Sequence, residues 1–234
     1  MSGTLRQHLD QLGLDVDLIL SQIPDDLTLS CVDGVLFVCH KNENNLKAYV
    51  DFLNGAITYR INQHVGGEHL IRACKVKSDN QIHVLDATCG MGKDSFLLQN
   101  GGFKVTATEK NPIIHALLAD GLSRYQLKTG SKAFDLFHFS AEHMMKNQTF
   151  DVIYLDPMFP HKAKSAKAKK DMQLFQRIHQ DVEDNAAQLL ALALSSGCKR
   201  VVIKRPLNAK QLASYVPTFQ MRGKTCRFDA FQLN

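Results

Sequence analysis

The sequence predicts an α/β fold: a mostly parallel seven-stranded sheet with a closing antiparallel hairpin, preceded by a small N-terminal α+β subdomain. Three observations carry this. From Gln81 onward, apolar β-type runs alternate with helical patterns, as in strand-helix-strand units. Polar loops follow the first and fourth of these runs, at Asp86 to Gly92 and at Asp156 to Pro160, where ligand loops of a doubly wound sheet lie. Before residue 80 the pattern is different, with short alternating runs around a hairpin turn.

In that first part, residues 1–79, Leu27 to Cys39 alternates apolar and polar residues about Asp33-Gly34, a two-residue hairpin signal. Lys47 to Phe52 is expected as a third strand. Gly66-Gly67 breaks the chain before a short helix over Glu68 to Lys75. In the main domain, residues 80–234, the expected strands are Ile82 to Ala87, Lys104 to Glu109, Phe134 to Phe139, Asp151 to Asp156 and Arg200 to Lys204. The first helix starts after Gly92 and ends near Gln99, before Gly101-Gly102. The second has Asn111 as N-cap, Pro112 at its first position, and an apolar face of Ile113, Leu117, Leu118 and Leu122. A longer helical region covers Ala168 to Leu194 and stops at Gly197. After Pro206 come a short helix and two strands, Pro217 to Met221 and Thr225 to Gln232, which are joined at Arg222-Gly223-Lys224 and form the closing hairpin, with the last strand inserted antiparallel.

The bulk numbers set limits on this fold. A chain of 234 residues fits one α/β domain with a small appendage. The net charge of +5 is concentrated, since His161 to Lys170 holds five lysines, one histidine and no acid. Six scattered cysteines form no C-x-x-C pair, which argues against zinc and against a disulfide framework. Met1 to Leu20 carries polar and acidic residues throughout, unlike a signal peptide. No run approaches the ~20 apolar residues of a membrane span. A cytoplasmic setting with no membrane and no metal is the expectation.

The loop Asp86-Ala87-Thr88-Cys89-Gly90-Met91-Gly92 is the first chemical signal. Gly90 and Gly92 let the backbone turn sharply and approach a ligand. Glu109 ends the next strand, about 20 residues on, where an acid can accept hydrogen bonds from a ribose. The third glycine of the dinucleotide fingerprint is Ser95, which disfavours a pyrophosphate-binding hydride enzyme. S-adenosyl-L-methionine (SAM) has no phosphate and meets no such requirement. Asp86 is placed to meet the ammonium of its methionine part. The bland alternatives are an ordinary strand-helix turn and a surface acid.

The second signal is Asp156-Pro157-Met158-Phe159-Pro160. An exocyclic base amine is a poor nucleophile because its lone pair is delocalised into the ring. The Asp156 carboxylate and the Pro157 carbonyl suit its two N–H groups, and Phe159 offers a face on which the base can stack. Cys89 lacks a histidine or Pro-Cys partner, so a covalent cysteine mechanism is disfavoured. Lys162, Lys164, Lys167, Lys169 and Lys170 follow directly and are expected to contact phosphates, with Lys204 and Arg205 adding cations on the same edge. A solvated charged face is the competing reading.

These residues resemble the ribosomal RNA small subunit methyltransferase J family. The likeness runs through Leu85 to Asp94, Glu109-Lys110-Asn111-Pro112, Ala116-Leu117-Leu118 and Asp120-Gly121-Leu122. Its most specific piece is Tyr154 to Lys162, continuing through Lys164-Ser165-Ala166 and Lys169-Lys170. Val201 to Pro206 and Gly223 to Phe228 extend it. The resemblance implies a Rossmann-like class I SAM-dependent methyltransferase fold and methylation of N2 of a guanosine in small-subunit (16S) rRNA, free or in the small ribosomal subunit. By position it implies cofactor contacts from Lys93-Asp94, Glu109-Lys110, Ser140-Ala141 and Asp156, with Ala141 standing where the family has a hydroxyl residue. Two rivals stay open: methylation of a base amine in DNA or another RNA, and a catalytically silent RNA-binding relative.

Overall fold

A computed structural model describes residues 2–54, 56–157, 174–175, 177–178, 186–212 and 214–233. The chain separates into two compact units. One takes in Met1–Leu53, Asn111–Ala133 and the described residues of Pro160–Glu183. The other takes in Asn54–Lys110 and the described residues of Phe134–Phe159 and Asp184–Asn234.

The first unit holds an antiparallel sheet of β1 (Leu27–Val32), β2 (Val35–His40) and β3 (Glu43–Ala48), with helices α1 (Ser2–Gln11), α2 (Val16–Ser21) and α6 (Pro112–Thr129). Asp33 and Gly34 have φ of 51° and 72°, the left-handed pair that a two-residue hairpin requires. The third strand begins earlier than Lys47. The turn at Lys41-Asn42 is closed by the Asn42 amide donating to His40 Nδ1, so pairing starts at Glu43 and ends with Val38 opposite Ala48. Leu46, Ala48, Val50 and Phe52 alternate inward as the pattern indicates, but the last two lie beyond the paired strand.

Helix α6 opens as expected, with Asn111 Oδ1 accepting from the amides of Ile113 and Ile114. The buried Asp120 accepts from Arg124 at 2.9 Å, from His8 at 2.8 Å and from the Leu36 amide at 3.3 Å, which ties α6 to α1 and β2. Gly121 costs the helix about 1 kcal/mol against alanine. Its lack of a side chain admits Val50, whose Cγ1 lies 2.5 Å from where a Cβ would stand.

The second unit is built on a seven-stranded sheet in the order β6-β5-β4-β7-β8-β10-β9. Its strands are β4 (His83–Asp86), β5 (Lys104–Thr108), β6 (Asp135–Phe137), β7 (Val152–Leu155), β8 (Arg200–Pro206), β9 (Phe219–Arg222) and β10 (Cys226–Gln232). The first five are parallel, and β10 inserts antiparallel between β8 and β9, so the expected fold class is the observed one. Strands β4, β5 and β7 are buried almost throughout because a parallel sheet is covered on both faces. Helices α3 (Ala56–His64), α4 (His69–Cys74), α5 (Lys93–Asn100), α7 (Ala141–Asn147) and α8 (Ala186–Leu194) complete the unit. On one face Met144, Met145, Leu189, Leu190 and Ala193 close over Leu85, Ile153, Val201 and Phe231. Of the helix expected over Ala168 to Leu194, Ala186–Leu194 is described in full. Helices α1, α2, α3 and α7 were not among the expected elements, and the described residues between Pro206 and Pro217 form turns rather than the expected short helix.

Candidate active site

Strand order reverses at β4, which has β5 on one flank and β7 on the other, so the crevice of this sheet opens at their carboxyl ends. The loop after β4 turns through Gly90 (φ 52°) and Gly92 (φ 68°), and Gly92 caps α5. At such φ any side chain would be strained, which is why both are glycine. A Cβ on Gly90 would meet nothing within 4 Å, so this backbone faces open space. Glu109, 6% exposed, accepts from the Gly90 amide through Oε2 at 3.1 Å, so the acid expected at a ribose also braces the loop.

Asp86 is 1% exposed. Its oxygens accept from Ser95 Oγ at 2.5 Å and from the Thr88 amide at 3.3 Å, so these partners make it a buried anchor of the loop. Burial pushes its carboxyl up to about 7, against the pull of the Ser95 hydrogen bond. The folded protein therefore holds this proton more tightly than the unfolded chain. The stability it lends is fully present below about pH 4 and is lost as the pH rises to about 7. Asp86→Asn removes this titration. Relative to the parent, the variant should gain about 2–3 kcal/mol between pH 5 and pH 8. Urea denaturation at the two pH values measures it, and an equal difference at both would refute the assignment.

The second loop leaves β7 at Asp156-Pro157. The Asp156 amide donates to Thr88 Oγ1 at 2.6 Å, so the two sequence-predicted loops are joined directly. Lys204, on β8, places its ammonium 2.8 Å from Asp156 Oδ2 and 2.7 Å from Asp94 Oδ2. Tyr154, fully buried on β7, donates its hydroxyl to the same Asp94 oxygen at 2.7 Å. Burial opposes ionisation of both acids, yet they respond differently. Lys204 and the Tyr154 hydroxyl outweigh burial at Asp94 and hold its carboxyl below the usual range. At Asp156, burial and the neighbouring Asp94 outweigh Lys204, and its carboxyl lies above the usual range. Lys204 itself is raised, because the two carboxylates overcome its own burial.

The other expected residues fall as follows. Lys93 and Asp94 are the first two residues of α5, with Lys93 exposed. Lys110 is exposed just past β5, its carbonyl accepting from His138 Nε2 at 3.1 Å. Ser140 is the N-cap of α7 and accepts from the His143 amide, while Ala141 is buried in the core. Pro157 is buried. Phe159, Lys162, Lys164, Lys167, Lys169 and Lys170 lie outside the described residues. Lys204 and Arg205, expected at phosphates, have partners within the fold. Lys204 is engaged by two carboxylates, and Arg205, 7% exposed, donates to the Lys210 carbonyl inside the fold. Sequence reasoning missed Ser95, Thr88 and Tyr154. A lone hydroxyl inside an otherwise apolar strand was the available signal for Tyr154.

Residues 15–233 match a family described as SAM-dependent methyltransferases. Two proteins named ribosomal RNA small subunit methyltransferase J are close in sequence. The one from Pseudoalteromonas atlantica is 43% identical over 79% of this chain and 76% of its own length. The one from Alcanivorax borkumensis is 38% identical over 88% and 84%. Among solved structures, a SAM-dependent methyltransferase from Neisseria gonorrhoeae superposes with a TM-score of 0.67 at 27% identity, covering 92% of this chain and 90% of that one.

Proposed function

The chain belongs to the ribosomal RNA small subunit methyltransferase J family of SAM-dependent methyltransferases, and on that premise we propose that it methylates the N2 amine of a guanosine in small-subunit rRNA. The observation that carries this reading is the direct tie between the two loops, Asp156 amide to Thr88 Oγ1 at 2.6 Å, which sets the acceptor carboxylate beside the glycine loop.

The residues present fit SAM. Gly90 offers backbone facing open space, Glu109 a carboxylate for the ribose hydroxyls, and Lys93, Asp94, Lys110, Ser140 and Ala141 line up at the same strand ends. SAM supplies an electrophilic methyl on a sulfonium. The protein supplies alignment. Asp156 and the Pro157 carbonyl accept the two N–H bonds of the amine, which favours a pyramidal nitrogen with its lone pair directed at the methyl. Phe159 stacks on the base, a contact worth ~1–3 kcal/mol. Such a substrate belongs to the cytoplasm. Among the described residues no helix is long and apolar enough to cross a membrane.

Labelled SAM offered with DNA, free rRNA, or small subunits lacking the modification tests the reading. Incorporation into N2-methylguanosine of small-subunit rRNA is expected, and labelling of DNA alone would overturn it. The lysine segment supplies the phosphate contacts in this reading. Replacing Lys162, Lys164, Lys167 and Lys169 with Gln should weaken RNA binding and lower the salt slope by up to about 3, through lost counterion release. Binding that is unchanged across a salt titration would return the segment to a solvated face.

A further inference from the structure

We propose that Lys204 is a positioning residue for methyl transfer: its ammonium bridges Asp94 and Asp156 and holds the acceptor carboxylate so that Oδ1 is left for the substrate amine. This rests on the function proposed above.

The geometry is specific. Both ion pairs are short, 2.7 and 2.8 Å, and both carboxylates use Oδ2. Among the described residues Asp156 Oδ1 has no hydrogen bond, while its amide is fixed by Thr88. The bridge joins α5, which opens at the cofactor loop, to the end of β7, which opens the acceptor loop.

The lysine stands out in its strand. It follows Val201-Val202-Ile203 on a strand in the interior of the sheet, and its ammonium meets the two carboxylates. Lys204 is 27% exposed and Asp156 35%, so the bridge stands at the rim of the crevice. The charged groups acting on Asp156 there are Lys204 from β8 and Asp94 from α5, and Asp156 in turn raises Tyr154 of β7, Asp86 of β4 and Cys226 of β10. Asp94 pushes a proton onto Asp156, and Lys204 opposes it. Without the ammonium, Asp156 would face Asp94 uncompensated, and a protonated acid accepts the amine poorly.

The test is single-turnover methylation of undermodified small subunits at saturating SAM, from pH 5.5 to 9, for the parent, K204M, K204Q and K204R. The neutral variants should react about thirtyfold more slowly at neutral pH, with the acid limb moved up by about one pH unit and RNA affinity within about twofold of the parent. K204R should recover most of the rate. A folded neutral variant that is slowed equally at every pH, or not slowed, would make the bridge merely structural and overturn the proposal. Carbon-13 NMR of the Asp156 carboxyl needs no RNA. Its titration should lie higher in K204M or K204Q than in the parent, and an unmoved titration overturns the proposal even where the rate falls. A parent chain that methylates no rRNA would refute the proposed function, and the NMR arm would still decide the bridge.

Discussion

Asp156→Ala is expected to slow single-turnover methyl transfer by about 10³-fold or more, a loss of about 4 kcal/mol of transition-state stabilisation. Direct displacement at a sulfonium methyl needs no covalent enzyme intermediate, so the protein acts through placement and charge. As nitrogen attacks, positive charge grows on the amine, and the Asp156 carboxylate is the group the acceptor loop offers to meet it. Asp156→Asn keeps the size and one acceptor, so it should retain more activity than the alanine variant. The fold should survive both changes, because Lys204 keeps its second partner, Asp94, and the Thr88 contact uses the backbone of residue 156. RNA affinity should stay within about twofold of the parent, since phosphates supply most of it. Near-parental rates in Asp156→Ala would reduce the residue to a turn and refute the mechanism.

What was legible in the sequence follows from how local each signal is. The hairpin at Asp33-Gly34 and the Asn111-Pro112 helix start depend on neighbours in sequence, and each appears as expected. The third strand of the first unit was misplaced for a definite reason. Alternation continues through Phe52, but the Leu53 amide turns back to Asp51 Oδ1, and pairing ends at Ala48. Helices α1 and α3 escaped notice because their apolar positions are sparse and no strong cap announces them.

The site divides along the same line. Gly90, Gly92, Glu109 and Asp156 stand out because loop chemistry is written in consecutive residues. The partners that place them do not. Thr88 meets residue 156, 68 positions away, and Lys204 meets Asp94, 110 positions away. A lysine followed by an arginine reads as a basic pair, yet along β8 the two residues take different surroundings. Lys204 reaches the two carboxylates, and Arg205 is buried against the Lys210 carbonyl. Asp86 shows the converse. Its position marks the loop, but its burial and its Ser95 partner appear only once α5 is folded against β4.

Glu109→Ala should weaken SAM binding about 100-fold while leaving the fold intact. Two losses add in this variant. The carboxylate is the acceptor proposed for the ribose hydroxyls, and hydrogen bonds to a charged group are worth about 1.5–3 kcal/mol each. It also accepts from the Gly90 amide at 3.1 Å, so its removal leaves that amide without this acceptor in a loop that must hold φ of 52°. Glu109→Gln separates the two. An amide oxygen can still serve Gly90, so the loop should persist, while the charge facing the ribose is gone. An intermediate loss of about tenfold is expected there. Titration calorimetry with SAM and with S-adenosylhomocysteine measures both variants, and the product should report the same losses because it carries the same ribose. If the glutamine variant binds as tightly as the parent, Glu109 acts on the loop alone and the ribose assignment fails. Unchanged affinity in the alanine variant would remove Glu109 from the cofactor site altogether.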